Sequence, residues 1–147
     1  MDPTQSAALA IVVRWIHLAS VATLIGGFIY ARFVLAPALA SLPTAEREQV
    51  GAKTVSSFRF LLFTVLITVL GSGMFNYANK SSYPPTYHIW MGIKLLFVLH
   101  IAASAILYAV RQSNEAKRNR TALSIAISGL IIIAISGYLR YLSLTTK

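Results

Sequence analysis

Four apolar stretches, at residues 7–39, 58–78, 87–110 and 121–144, run through the chain. Each meets the roughly 20 residues that a helix needs to cross the hydrocarbon of a bilayer. In that solvent every backbone N–H and C=O must find its partner within the protein, which leaves helices and closed barrels. Continuous apolar runs of this length do not show the alternation of barrel strands. The sequence therefore predicts an all-α polytopic membrane protein, residues 1–147 forming one domain. Composition agrees, since 56% hydrophobic against 12% charged residues is a membrane ratio. The first stretch is longer than the apolar part of a secretory signal and has no basic leader, so it is read as a retained span. Cysteine is absent, which removes disulfides, iron–sulfur ligation and thiolate chemistry.

The formal net charge is +9, and its placement carries more information than its size. Arg47, Lys53 and Arg59 follow the first stretch, and Arg111, Lys117, Arg118 and Arg120 follow the third. The segment NKSSYPPTYH between the second and third stretches holds only Lys80 as a basic residue besides its histidine. By the positive-inside rule both basic loops face the cytoplasm and both termini lie outside. The expected location is a bacterial cytoplasmic membrane. EAKRNR is read as a topological signal and lipid-facing patch, not as a nucleic-acid surface. In the loops, LPTAEREQVGAK offers Thr44 as the cap of a short amphipathic turn, and SSYPP stops the second helix. Short connections of this kind favour a four-transmembrane-helix up-down bundle. Gly26, Gly27, Gly71, Gly73, Gly129 and Gly137 are expected at close helix contacts.

The polar residues inside the spans raise the functional question. All four acidic residues, Asp2, Glu46, Glu48 and Glu115, lie in termini or loops. The apolar stretches carry Arg14, Arg32, Lys94 and Arg140, with Arg59 at the start of the second. Arg32 and Arg59 are placed near the cytoplasmic boundary, where long side chains reach headgroups. His17 and Lys94 fall roughly 10 Å below the opposite surface at ~1.5 Å per residue, with Arg14 and Arg140 shallower on the same side. One imidazole and three cations repel one another in a low dielectric unless an anion joins them. A haem meets that need, offering two propionates to the cations and an iron to the imidazole. Haem b is therefore the leading cofactor. His17 is the first ligand candidate, Lys94 or His100 the second, and Arg14 and Arg140 the propionate partners.

His88 and His100 are ~18 Å apart along their helix, so they cannot share an iron. His100 falls near mid-membrane, whereas His88 sits at the surface beside Tyr87 and Trp90, as part of an aromatic belt that includes Tyr30, Tyr77, Tyr83, Tyr108, Tyr138 and Tyr141. Copper is the alternative metal. His17, Met74, His88 and Met91 all map to the outer half, and imidazole with thioether suits cuprous copper. Copper adds positive charge to a cationic site, so electrostatics favour haem.

The stretch WIHLASVATLIGGFIYARFVLAPAL resembles the first helix of CopD-like membrane proteins associated with copper resistance. Read as IH…FIYARFVL, it also resembles the HemJ-type protoporphyrinogen oxidases, where a histidine is followed by a tyrosine-and-arginine segment. HIWMGIKLLFVLH is similar to the W-x-x-x-K-L segment of both families. The HemJ-type resemblance implies haem b binding tied to His17 and Lys94, with Arg32 a further matched position. It also implies a membrane oxidoreductase acting on a quinol- or porphyrinogen-like lipophilic substrate. The CopD-like resemblance implies copper transport. The chain departs from the HemJ pattern after Arg32, where FVLAPAL stands in place of an expected histidine. A third reading is an accessory subunit of a larger membrane complex or homo-oligomer, whose cations meet lipid or a partner's acidic residues.

Overall fold

The computed structural model describes residues 3–78, 85–110 and 114–145. Asp2, Lys80, Tyr83, Arg111 and most of SSYPP lie outside the described residues. The chain forms α1 (Pro3–Tyr30), a π turn (Ala31–Leu35), α2 (Ala36–Ala40), α3 (Thr44–Ala78), α4 (Pro85–Val110) and α5 (Glu115–Thr145). Among the described residues there is no strand. Four helices are long and apolar enough to cross a membrane, α1 and α2 counting as one span. The protein is thus a four-helix membrane bundle, as its sequence predicts.

The π turn has a local cause. Pro37 has no N–H to continue the ladder, and the turn before it widens so that the Ala36 N–H reaches Ala31 O. Residues 30, 35 and 36 keep right-handed helical dihedrals. The proline therefore marks a change of pitch in one continuous span.

Two connections are more ordered than the sequence reading expects. LPTAEREQVGAK is mostly helix, because α3 begins at Thr44. Ala, Glu, Arg, Gln and Lys are strong helix formers, and they extend the helix beyond its apolar part. EAKRNR is likewise the first turns of α5, capped by Asn114, whose Oδ1 accepts from the Lys117 N–H at 3.0 Å. Arg47 joins these extensions. Its guanidinium donates to Glu115 Oε2 at 3.3 Å, to Ala40 O at 2.9 Å and to Leu42 O at 3.0 Å. One side chain thereby ties the end of α2 and the start of α3 to the start of α5. Gly51 admits Arg118 beside it, since a Cβ there would come within 2.5 Å of the guanidinium.

The helices form a ring in chain order, α1 on α3, α3 on α4, α4 on α5 and α5 back on α1. Leu24, Phe28, Leu62, Ile101, Ala105 and Ile125 lie in its core. Ala105, Ala109 and Ala122 let α4 and α5 approach closely, which is how helices associate without a hydrophobic driving force between them. Phe28 is 1% exposed and meets Tyr108 edge-on, with ring centroids 5.2 Å apart. Outward positions are also apolar. Leu96, Phe60 and Ile67 are exposed, as a surface facing lipid requires.

The glycines divide into contact and non-contact positions. A Cβ at Gly27 would meet Phe58 at 3.2 Å, one at Gly73 would meet His17 at 3.2 Å, and one at Gly129 would meet Ile25 at 2.7 Å. Gly26, Gly71 and Gly137 have nothing within 4 Å, so they are not close-packing positions within this bundle. The α1–α5 contact should therefore respond to bulk at Gly129 and not at Gly137. Gly129→Val is expected to destabilise the bundle by about 1–3 kcal/mol, with partial recovery on adding Ile25→Ala, measured by unfolding in detergent. The same change at Gly137 should cost less.

Candidate functional site

His17 is the best-positioned polar group within the spans. It projects from α1 onto α3, where its Nδ1 lies 2.8 Å from Ser72 Oγ and its Cε1 lies against Gly73. Ser72 is buried, and its hydroxyl donates to backbone carbonyls of its own helix, at Thr68 and Val69. With its proton directed there, Ser72 Oγ accepts from the His17 Nδ1–H. The ring is also within hydrogen-bonding reach of the Val69 carbonyl, so α3 holds it through both a hydroxyl and its backbone. Orientation of an imidazole by hydrogen-bonded neighbours is common among histidines that ligate metals.

Lys94 joins His17 from α4. The Lys94 charge is close enough to act on the imidazole. The Phe28–Tyr108 contact shows why, because that register sets His17 level with Phe97, one turn from Lys94. Lys94 is half-buried, and Trp90, one turn before it, packs on Tyr138 of α5 at 5.1 Å. Arg14 lies one turn before His17 and is exposed, as is Arg140 near the end of α5. Among the described residues no carboxylate pairs with Arg14, Lys94 or Arg140. The structure thus gathers an imidazole and an amine at one level of the bundle, and two arginines at the same end.

The other predicted residues lie apart from this pair. Arg32 is in the π turn, about 27 Å from Arg14 along the span. Its guanidinium is 5.5 Å from the Phe33 ring, so it belongs to the opposite end. His100 is about 9 Å further along α4 than Lys94 and turned about 240° from it. It faces outward, with Nε2 2.9 Å from Ser124 Oγ on α5. His88 is exposed in the first turn of α4, Met74 is 75% exposed on α3, and Met91 is half-buried one turn before Lys94. Among the described residues no group of three or more His, Cys, Asp or Glu side chains converges.

Two clefts lie elsewhere. One, of about 30 Å3, is lined by Leu35, Gly51, Tyr108 and Arg118 beside the Arg47 tie. The other is an open groove along α3, lined by Val50, Lys53, Ser57, Phe58 and Leu61. Sequence reasoning missed Ser72 as the partner of His17. The signal was a hydroxyl and a glycine side by side in an apolar helix, SGM, which permit a ring to approach a backbone. The chain matches no protein-family model, no curated protein and no solved structure.

The tautomer can be observed directly. In 15N-histidine spectra of the protein without added metal or haem, His17 is expected as the Nδ1–H form. Ser72→Ala should weaken that preference, and an unchanged His17 signal would mean that the hydroxyl does not orient the ring.

Proposed function

We propose that this protein is a haem b-binding membrane protein with a redox role toward a lipophilic substrate, either a quinol or a porphyrinogen, in keeping with its resemblance to the HemJ type. The observation that carries the reading is the His17 ring, held on α3 through Nδ1 by Ser72 with the Lys94 charge near it. His17 would supply a nitrogen to the haem iron, and Lys94 would serve as the second ligand or as a charge partner. Arg14 and Arg140, at the same end of the bundle and without carboxylate partners among the described residues, would meet the propionates. Haem supplies reversible one-electron chemistry when bound.

The roles of the chain's own residues follow from their placement. Ser72 holds the imidazole in one tautomer and orientation, and Gly73 gives it room on the α3 backbone. Cations at this end offset the propionate charge, which would otherwise be costly near hydrocarbon. The positive-inside rule puts the basic loops in the cytoplasm and the His17 end in the outer half of the membrane. Copper movement, the CopD-like alternative, gains less support because Met74 and His88 face outward.

The test is a visible spectrum of detergent-purified protein, oxidised and then reduced with dithionite, with metal analysis of the same sample. A Soret band with sharp reduced α and β bands is expected in the wild type, most of it lost in His17→Ala. Ser72→Ala should lower haem affinity about 10-fold or more, as loss of a ligand's hydrogen-bond partner does. Full haem content in His17→Ala would overturn the ligand assignment. A colourless sample holding copper would replace the haem reading with transport.

A further inference from the structure

The cavity of about 30 Å3 at the Arg47 end of the bundle has room for about two water-sized particles. Its wall draws on every element from the π turn to α5. The polar residues on it are Thr54 of α3, Tyr108 of α4, and Glu115, Arg118 and Asn119 of α5. Their charges do not balance. Glu115 is the one carboxylate among the described lining residues, and its Oε2 is taken by Arg47 at 3.3 Å. Arg118 makes no ion pair or hydrogen bond among the described residues. One positive charge is therefore left on the wall.

The Arg118 guanidinium lies over Gly51, where a Cβ would come within 2.5 Å of it, so the missing side chain makes its place. Its charge is close enough to act on the Tyr108 hydroxyl, which has no hydrogen-bond partner among the described residues. Arg118 also stands in the first turn of α5, the positive end of that helix dipole, where a cation is disfavoured and an anion favoured. A guanidinium donates and cannot accept, and a phenol has a proton to give. Both groups thus call for an acceptor. Water accepts from them but leaves the charge unmet, whereas a small anion accepts from both and neutralises it.

We infer that this cavity is a binding site for a monatomic monovalent anion such as chloride, held by the Arg118 guanidinium, the Tyr108 hydroxyl and the Asn119 amide. Its volume excludes a phosphate or a lipid headgroup. Arg47 ties the end of α2 and the start of α3 to α5, and the anion would bring α4 into the same junction through Tyr108. The site is at the opposite end of the bundle from His17 and does not rest on the proposed function.

The test is the thermal unfolding midpoint of the full chain in detergent, titrated with chloride against gluconate at constant ionic strength. The midpoint is expected to rise with chloride and to level off as the site fills. Arg118→Met should remove that response. Tyr108→Phe, which keeps the ring against Phe28, should weaken chloride binding about tenfold or more, the loss of one hydrogen bond to a charged group. In crystals grown with bromide, an anomalous peak is expected within hydrogen-bonding reach of Arg118 and Tyr108. A midpoint indifferent to chloride, an equal response in Arg118→Met, or no bromide peak would overturn the site and leave the cavity to water. A response to inorganic phosphate equal to that to chloride would overturn the monatomic assignment.

Discussion

The structure depends on one demand of the bilayer, that no backbone polar group be left without a partner in hydrocarbon. That demand makes each span a helix and turns Pro37 from a break into a local problem of pitch. The π turn solves it by moving one bond from the fourth to the fifth residue back. It also governs the hydroxyl residues. Thr23, Thr54, Thr64, Thr68 and Ser136 bond the carbonyl four residues earlier and need nothing from another helix. Ser72 and Ser124 are placed differently, and both meet histidines. Where a hydroxyl leaves its own backbone, or shares itself with a second group, an interhelical site results.

A polar side chain in a span is costly, and its cost is met by what it touches. Arg47 meets most of this demand within the protein, through the Glu115 carboxylate and the Ala40 and Leu42 carbonyls, with its buried Nε left without a partner among the described residues. Arg14, Lys94 and Arg140 have no such carboxylate among the described residues. The two ends of the bundle therefore differ in kind. One is closed upon itself by a charged tie, and the other holds cations that no carboxylate meets among the described residues. The proposed haem site uses the second end, where the His17–Lys94 pairing carries weight that either residue alone would not.

Span number and helix class were legible because the signal is a sum over about 20 residues, and single exceptions do not disturb it. The pairing of His17 with Lys94 was legible from depth, since both helices run the same way and a constant rise per residue sets their levels. Direction around each helix was not legible. His100 has the depth of a ligand and faces away from the bundle, because apolar residues surround α4 on every side and no amphipathic stripe distinguishes inside from outside. The same ambiguity explains the glycines. Gly26 and Gly27 are equivalent as sequence, yet only Gly27 lies against Phe58. Helix ends were misread because a polar segment such as EAKRNR resembles a loop in hydropathy while its helix propensity and the Asn114 cap favour α5.

Direction around the helix decides the chemistry of the two histidines. His17 turns inward to Ser72, whose hydroxyl has the Thr68 and Val69 carbonyls of its own helix within reach. His100 turns outward, and its Nε2 meets Ser124, which makes no bond to its own helix among the described residues. The same side chain thus stands beside Lys94 on one helix and on the outward face on another, a difference that depth, charge and composition do not encode.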